Sequence, residues 1–269
     1  MFEQVKQEYE RRGWLTPAIW SPLTSDIELW HRLRLFFEIG ACLRRIPTPI
    51  ETLRVLDIGC GVGRSTRAWV EFGILPEHLV GVDFQGTAID YAVKLNPAIE
   101  FKRVTALQDI AELGTFDVVC QCTVFSSINE PSERSALAET MSRCTRDEGY
   151  IFWWDLKHAN SFAGGDRLLP ERLFDRMAVV YSADVPLHWE PHHCVRPFPG
   201  LRRVTPILDL ARHPPTHEAL LFQKIFAGSD GETGHSNGSA HAARERRGVA
   251  RKIDFRRAST ARNASSDVA

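Results

Sequence analysis

One stretch constrains this chain more than any other: Arg54-Val55-Leu56-Asp57-Ile58-Gly59-Cys60-Gly61-Val62-Gly63-Arg64-Ser65. An apolar run leads into three glycines spaced two apart, and then into a segment of helical periodicity. Glycine at such a turn permits tight backbone geometry and lets a ligand lie against the chain with no Cβ in the way. In open α/β sheets, ligands bind at the carboxyl ends of the strands, where the strand order reverses. A strand, a glycine loop and a helix in this order therefore predict a binding site as well as a fold.

The surrounding pattern agrees. Apolar runs at 53–58, 79–84, 99–104, 116–122 and 150–156 alternate with amphipathic stretches at 64–73, 86–95, 107–113 and 131–145. Runs that are apolar on successive residues suit strands covered on both faces, so a parallel sheet with helices on either side is expected. Before it, helices are predicted over 2–12 and 27–45. The second carries Leu29, Leu33, Phe36, Phe37 and Gly40 on one face, and Pro47 and Pro49 end it. After 156 the pattern loosens to a short helix from Pro170, a strand at 177–181 or 185–189, and a last strand near 217–226.

Spacing restricts the ligand. A dinucleotide fingerprint wants a third glycine where Arg64 stands, and a phosphate loop wants Gly-Lys followed by Ser or Thr, which is missing. The second strand ends in Asp83, 26 residues after Asp57. A carboxylate there can accept both hydroxyls of a ribose and repels a 2′-phosphate. Phe84 beside it offers a flat apolar surface to an adenine ring.

The pattern Asp57-x-Gly59-x-Gly61-x-Gly63 with Asp83 resembles the first two motifs of class I S-adenosylmethionine-dependent methyltransferases, over about residues 50–156 and more loosely to 226. The resemblance implies an α/β, Rossmann-like seven-stranded sheet of order 3-2-1-4-5-7-6, its last strand antiparallel, with helices on both faces. It implies S-adenosylmethionine as cofactor, held by Asp57, Gly59, Gly61, Gly63, Asp83 and Phe84. The fourth strand, ending Gln121-Cys122, would place Gln121 or Cys122 nearest the methyl donor. Where the family often has an acid after the third strand, this chain has Thr105-Ala106, so adenine recognition falls to backbone groups including Ala106 and Leu107. On these boundaries 1–49 is an N-terminal helical cap, 50–227 the cofactor domain with a lid at about 189–215, and 228–269 a disordered tail. The segments 121–128, Phe152-Trp153-Trp154-Asp155 and Pro215-Thr216-His217 are similar to methyltransferases of bacterial polysaccharide and O-antigen biosynthesis, which implies a sugar hydroxyl as acceptor. The Asn-Pro pair usual after the fifth strand is replaced by His158-Ala159-Asn160-Ser161.

In the sheet order that the resemblance implies, Asp155 ends strand five and His217 begins strand seven beside it, both at the reacting end. Asp155 could then orient His217 as general base toward a hydroxyl, since the unperturbed imidazole pKa of about 6.5 suits that task. His217 is equally readable as a strand residue satisfied by a backbone carbonyl. His188, His192, His193 and Cys194 match no common zinc spacing and read as an acceptor-lining lid with Trp189 and Phe198; no metal is expected. Cys120 and Cys122 read as core thiols on opposite faces of their strand, and Trp153-Trp154 as core.

The net charge of −1 gives no overall preference for nucleic acid or anionic membrane. It conceals an uneven distribution, with eight basic and five acidic residues beyond Phe226 against 25 and 29 before it. No apolar run approaches the ~20 residues that span a bilayer, the first residues lack a signal peptide's apolar stretch, and six scattered cysteines suit a reducing cytoplasm. The partner expected is a glycan or small-molecule acceptor. An amine acceptor, or a catalytically silent interaction module of the same fold, are the competing readings.

Overall fold

In a computed structural model, the described residues are 26–159, 165–174, 176–185 and 216–225, with positions 5, 7 and 11. The chain divides into two units, Met1–Phe226 and Ala227–Ala269. The expected lid with its histidines, the expected tail and most of the first expected helix lie outside the described residues.

Seven strands form one sheet: β1 (Val55–Ile58), β2 (Leu79–Asp83), β3 (Glu100–Arg103), β4 (Phe116–Cys122), β5 (Thr145–Leu156), β6 (Met177–Val185) and β7 (His217–Lys224). Their order is β3-β2-β1-β4-β5-β7-β6. The first five run parallel, and β7 is antiparallel to both β5 and β6. This is the order the family resemblance implied. Every residue of β1 and β2 is buried, as strands covered on both faces must be. At the edge, β3 buries only Phe101.

Alternation along each strand divides the core in two. Val55, Cys120, Phe152, Trp154 and Leu221 face helices α1 (Asp26–Leu43), α2 (Arg64–Val70) and α3 (Gly86–Leu95). Leu56, Val119, Ile151, Trp153 and Phe222 face α4 (Leu107–Ala111), α5 (Pro131–Cys144) and α6 (Pro170–Leu173). Trp153 and Trp154 are both fully buried, one on each side. Cys120 and Cys122 pack toward the same side, against expectation, because residues two apart on a strand share a face.

The α1 face also departs from expectation. Leu29, Leu33, Phe36 and Phe37 are 38–56% exposed, whereas Leu35, Ile39, Cys42 and Leu43 are buried; Gly40 alone of the expected stripe is buried, against Phe72. The helix carries two apolar stripes, and the one that docks brings Glu38 with it. Fully buried, Glu38 accepts hydrogen bonds from Arg34 and from the Tyr181 hydroxyl of β6. A buried carboxylate needs such partners to offset its desolvation. Phe36 instead stacks on Phe72 and borders the cavity described below.

This bond fixes α1 to the sheet and generates a prediction. Tyr181→Phe should lower unfolding free energy by about 1 kcal/mol, leaving Glu38 with Arg34. Glu38→Ala should cost about 3 kcal/mol by stranding both partners and the apolar contacts beside them. Urea denaturation measures both; equal small effects would show that α1 docks through its apolar residues alone.

Candidate active site

The glycine loop is held from below by one carboxylate. Asp57, fully buried at the α1–α3 side of β1, accepts hydrogen bonds from Ser65 Oγ (2.7 Å), Thr66 Oγ1 (2.6 Å) and Cys120 Sγ (3.5 Å). Burial pushes its pKa up to about 6, and the two hydroxyl bonds pull against that rise. The first turn of α2 is thereby fastened to the end of β1. From above, Gly61 N–H donates to Asp83 Oδ2 and Gln85 N–H to Asp83 Oδ1, both at 2.9 Å. A Cβ on Gly59 would stand 2.3 Å from Val124, whereas one on Gly61 would meet nothing within 4 Å. Both glycines have positive φ, 72° and 53°. Gly59 is required by the fold, and Gly61 leaves open space above the loop.

The segment after β4 closes the other side. Gln121 Oε1 accepts from Val124 N–H, Asp155 Oδ2 accepts from the N–H groups of Phe125 and Ser126, and Thr123 N–H donates to the Trp154 carbonyl. Thr123 sits at φ 59°, a costly position for a β-branched residue, and these bonds hold it there.

Between the two loops lies a cavity of about 480 Å³, within the ~300–1,000 Å³ of ordinary small-molecule sites. One end is lined by Gly59, Gly61, Asp83, Phe84 and Gln85, with Val104, Ile110, Ile128 and Leu137 forming an apolar slot. The other end is lined by His31, Arg32, Leu35 and Phe36 of α1, Arg64, Arg67 and Glu71 from α2 and its C-terminal end, and Leu156 and His217 of the sheet. Ser126, Thr123 and Cys122 lie along it as well. Burial raises the Cys122 thiol well above its usual range, so it is protonated.

The expected pairing of Asp155 with His217 does not form. In the antiparallel register Leu156 stands opposite His217 and Asp155 opposite Glu218, so the two side chains leave opposite faces of the sheet. Asp155 is a loop anchor, its pKa raised to about 6 by burial. His217 lies 5.6 Å from His31 and 5.9 Å from Trp154, ring centre to ring centre. Burial, reinforced by His31, lowers its pKa to about 3; burial, then Arg64 and Arg32, lowers that of His31 to about 4. Both rings are neutral at physiological pH.

Among the residues expected to hold a cofactor, Gly59, Gly61, Asp83 and Phe84 line the cavity. Asp57, Gly63 and Gln121 stand behind it as supports: a Cβ on Gly63 would strike Phe101, not the cavity. Ala106 and Leu107 lie outside it, and the N–H groups of Thr105 and Ala106 already donate to Asp109 Oδ2 at the start of α4. Gln85, His31 and the three arginines were not foreseen. Only Arg64, the first residue after the glycines, carried a local signal. The open face of Gly61, the Asp83 carboxylate and the buried Gln85 Nε2, which has no partner among the described residues, fit a nucleoside with ribose hydroxyls and a hydrogen-bond acceptor.

Two substitutions separate fold from site. Gly61→Ala should cost about 1 kcal/mol through its positive φ, while weakening S-adenosylhomocysteine binding by intruding on the open space. Gly59→Ala should cost several-fold more stability, about 3 kcal/mol, because Val124 must move. Thermal denaturation with calorimetric titration distinguishes them, and equal stabilities would refute the assignment.

Residues 55–149 match the methyltransferase domain family. The ubiquinone biosynthesis O-methyltransferase of Rhizobium etli (strain CIAT 652) is 32% identical over 159 residues, covering 54% of this chain and 61% of that protein. Its counterpart in Mesorhizobium japonicum is 31% identical over 134 residues, 45% and 52% of the two chains. The chain thus spans between half and two thirds of the length of these curated relatives. The solved structure of N-methyltransferase NodS from Bradyrhizobium japonicum WM9 matches with TM-score 0.51 over 75% of this chain and 98% of that one, at 13% identity, which is a likeness of fold. Residues 55–149 are thus similar to a methyltransferase domain, set in the strand order that the resemblance to class I S-adenosylmethionine-dependent methyltransferases implied.

Proposed function

We propose that this protein transfers a methyl group from S-adenosylmethionine to an acidic hydroxyl of a small molecule. The observation that carries the reading is the continuity of one cavity from Gly61 and Asp83 to His31 and His217, so that donor and acceptor can share a single space. The cofactor would lie over Gly59 and Gly61 with its ribose at Asp83, and when bound it supplies a methyl group already activated by positive sulfur. The protein's own task is then alignment and exclusion of water.

The polarity of the far end favours oxygen over nitrogen. Among the described residues there, the lining holds Arg32, Arg64 and Arg67 and one acid, Glu71. Their mutual influence is visible where Arg64 and Arg32 lower the His31 pKa. Positive charge stabilises an anionic oxygen and opposes a protonated amine. The O-methyltransferase relatives point the same way. Neither histidine is basic enough to draw a proton from a simple alcohol. A phenol-like hydroxyl, which ionises near pH ~10 in water, needs far less help and would be pulled lower by the guanidinium groups. This reading disfavours the sugar hydroxyl and gives His217 an acceptor-positioning role. Asp155 acts indirectly, by holding the 123–127 loop against the cavity.

Labelled donor tests it with three probes: catechol, methyl glucoside and benzylamine. Label should enter catechol alone; transfer to benzylamine would overturn the oxygen assignment. The pH profile supplies a second check. A lowered histidine pKa means the neutral ring persists as pH falls, so no inflection belongs to His31 or His217 between neutrality and about pH 4. The rate should instead climb with ionisation of the acceptor. A rise centred near pH 6.5 and abolished by His217→Gln would restore that residue as the base.

A further inference from the structure

We propose that His31 binds the methyl acceptor: its ring N–H at Nδ1, fixed in that tautomer by the Trp154 indole, donates a hydrogen bond to an acceptor oxygen. The inference rests on the O-methylation reading above and names the residue that would enforce it. Trp154 Nε1 lies 2.9 Å from His31 Nε2. An indole nitrogen can only donate, so Nε2 must offer a lone pair. Because burial and the neighbouring guanidinium groups keep the ring neutral, its one proton sits on Nδ1.

That N–H has no partner among the described residues, and His31 borders the cavity beside His217. An N–H on a residue that borders the cavity is left to donate to a ligand oxygen. Trp154 is itself fully buried in β5, so it holds the imidazole in one orientation and one tautomer. His217 differs, since its Nδ1 is engaged with Thr216 Oγ1 at 2.9 Å. An oxygen with a lone pair or negative charge satisfies the His31 donor. An ammonium group offers only further N–H donors and another positive charge.

Nitrogen NMR of protein labelled at histidine, saturated with S-adenosylhomocysteine, reads the tautomer directly. At neutral pH His31 should appear as a neutral Nδ1–H ring, and added catechol should shift that resonance. Trp154→Phe should release the ring to a mixture of tautomers. His31→Leu should weaken catechol binding about tenfold while S-adenosylhomocysteine affinity holds within about twofold. His31→Gln, with a carbonyl for Trp154 and an amide N–H for the acceptor, should recover most of the loss. An Nε2–H or doubly protonated ring, or undiminished catechol binding by the leucine variant, would overturn the proposal; so would an equal loss of S-adenosylhomocysteine, which would make His31 a cofactor contact. Should the leucine variant fail to fold, the titration of the unaltered protein decides alone. Catechol methylated with His31 unmoved would overturn the proposal and spare the O-methylation reading. Catechol bound at His31 without methylation would support the proposal and count against that reading.

Discussion

The Asp57 carboxylate is the point on which the site turns. It lies one residue from the end of a buried strand, it is wholly removed from water, and it accepts hydrogen bonds from Ser65, Thr66 and Cys120. A carboxylate so placed is costly unless hydrogen-bonded. The first turn of α2 must therefore return to the end of β1, and the intervening residues have no route except a tight loop. Asp83 then receives Gly61 from the other side. Two acids thus shape one loop, and only the second reaches the cavity.

The cavity divides by charge as much as by shape. Its Gly61 end has the Asp83 carboxylate, the Gln85 amide and an apolar slot; its His31 end has, among the described residues, three arginines and two neutral histidines. Both ends share the 123–127 loop, fastened by Gln121 and Asp155 from the side of the sheet opposite His217. A carboxylate can thus matter to such a site without facing it. Buried behind the loop, Asp155 accepts backbone N–H groups that would otherwise be free to move.

Local pattern made the framework legible. The limits of β4 and α3 follow directly from the apolar runs, and the glycines and Asp83 announce the ligand end before any coordinates. What the sequence concealed depends on parity and docking. Asp155 and His217 fall at the same end of adjacent strands, yet a shift of one residue in register decides whether they meet, and no local signal sets that register. The two apolar stripes of α1 are similar in residue type, and the choice between them rests on Glu38 finding Tyr181, 143 positions away. His31 owes its place at the cavity to that same docking. Ala106 and Leu107 occupied the expected position, but Asp109 captures the N–H groups of Thr105 and Ala106, and Leu107 does not line the cavity.

In the proposed reading, one cavity receives the donor at Asp83 and presents its methyl group toward His31 and His217. A crystal structure of the complex with S-adenosylhomocysteine tests it most directly. Ribose hydroxyls are expected on the Asp83 carboxylate, adenine in the slot of Val104, Ile110 and Leu137, and sulfur facing the histidine end. A ligand bound elsewhere, or one whose sulfur points away from His31 and His217, would contradict it.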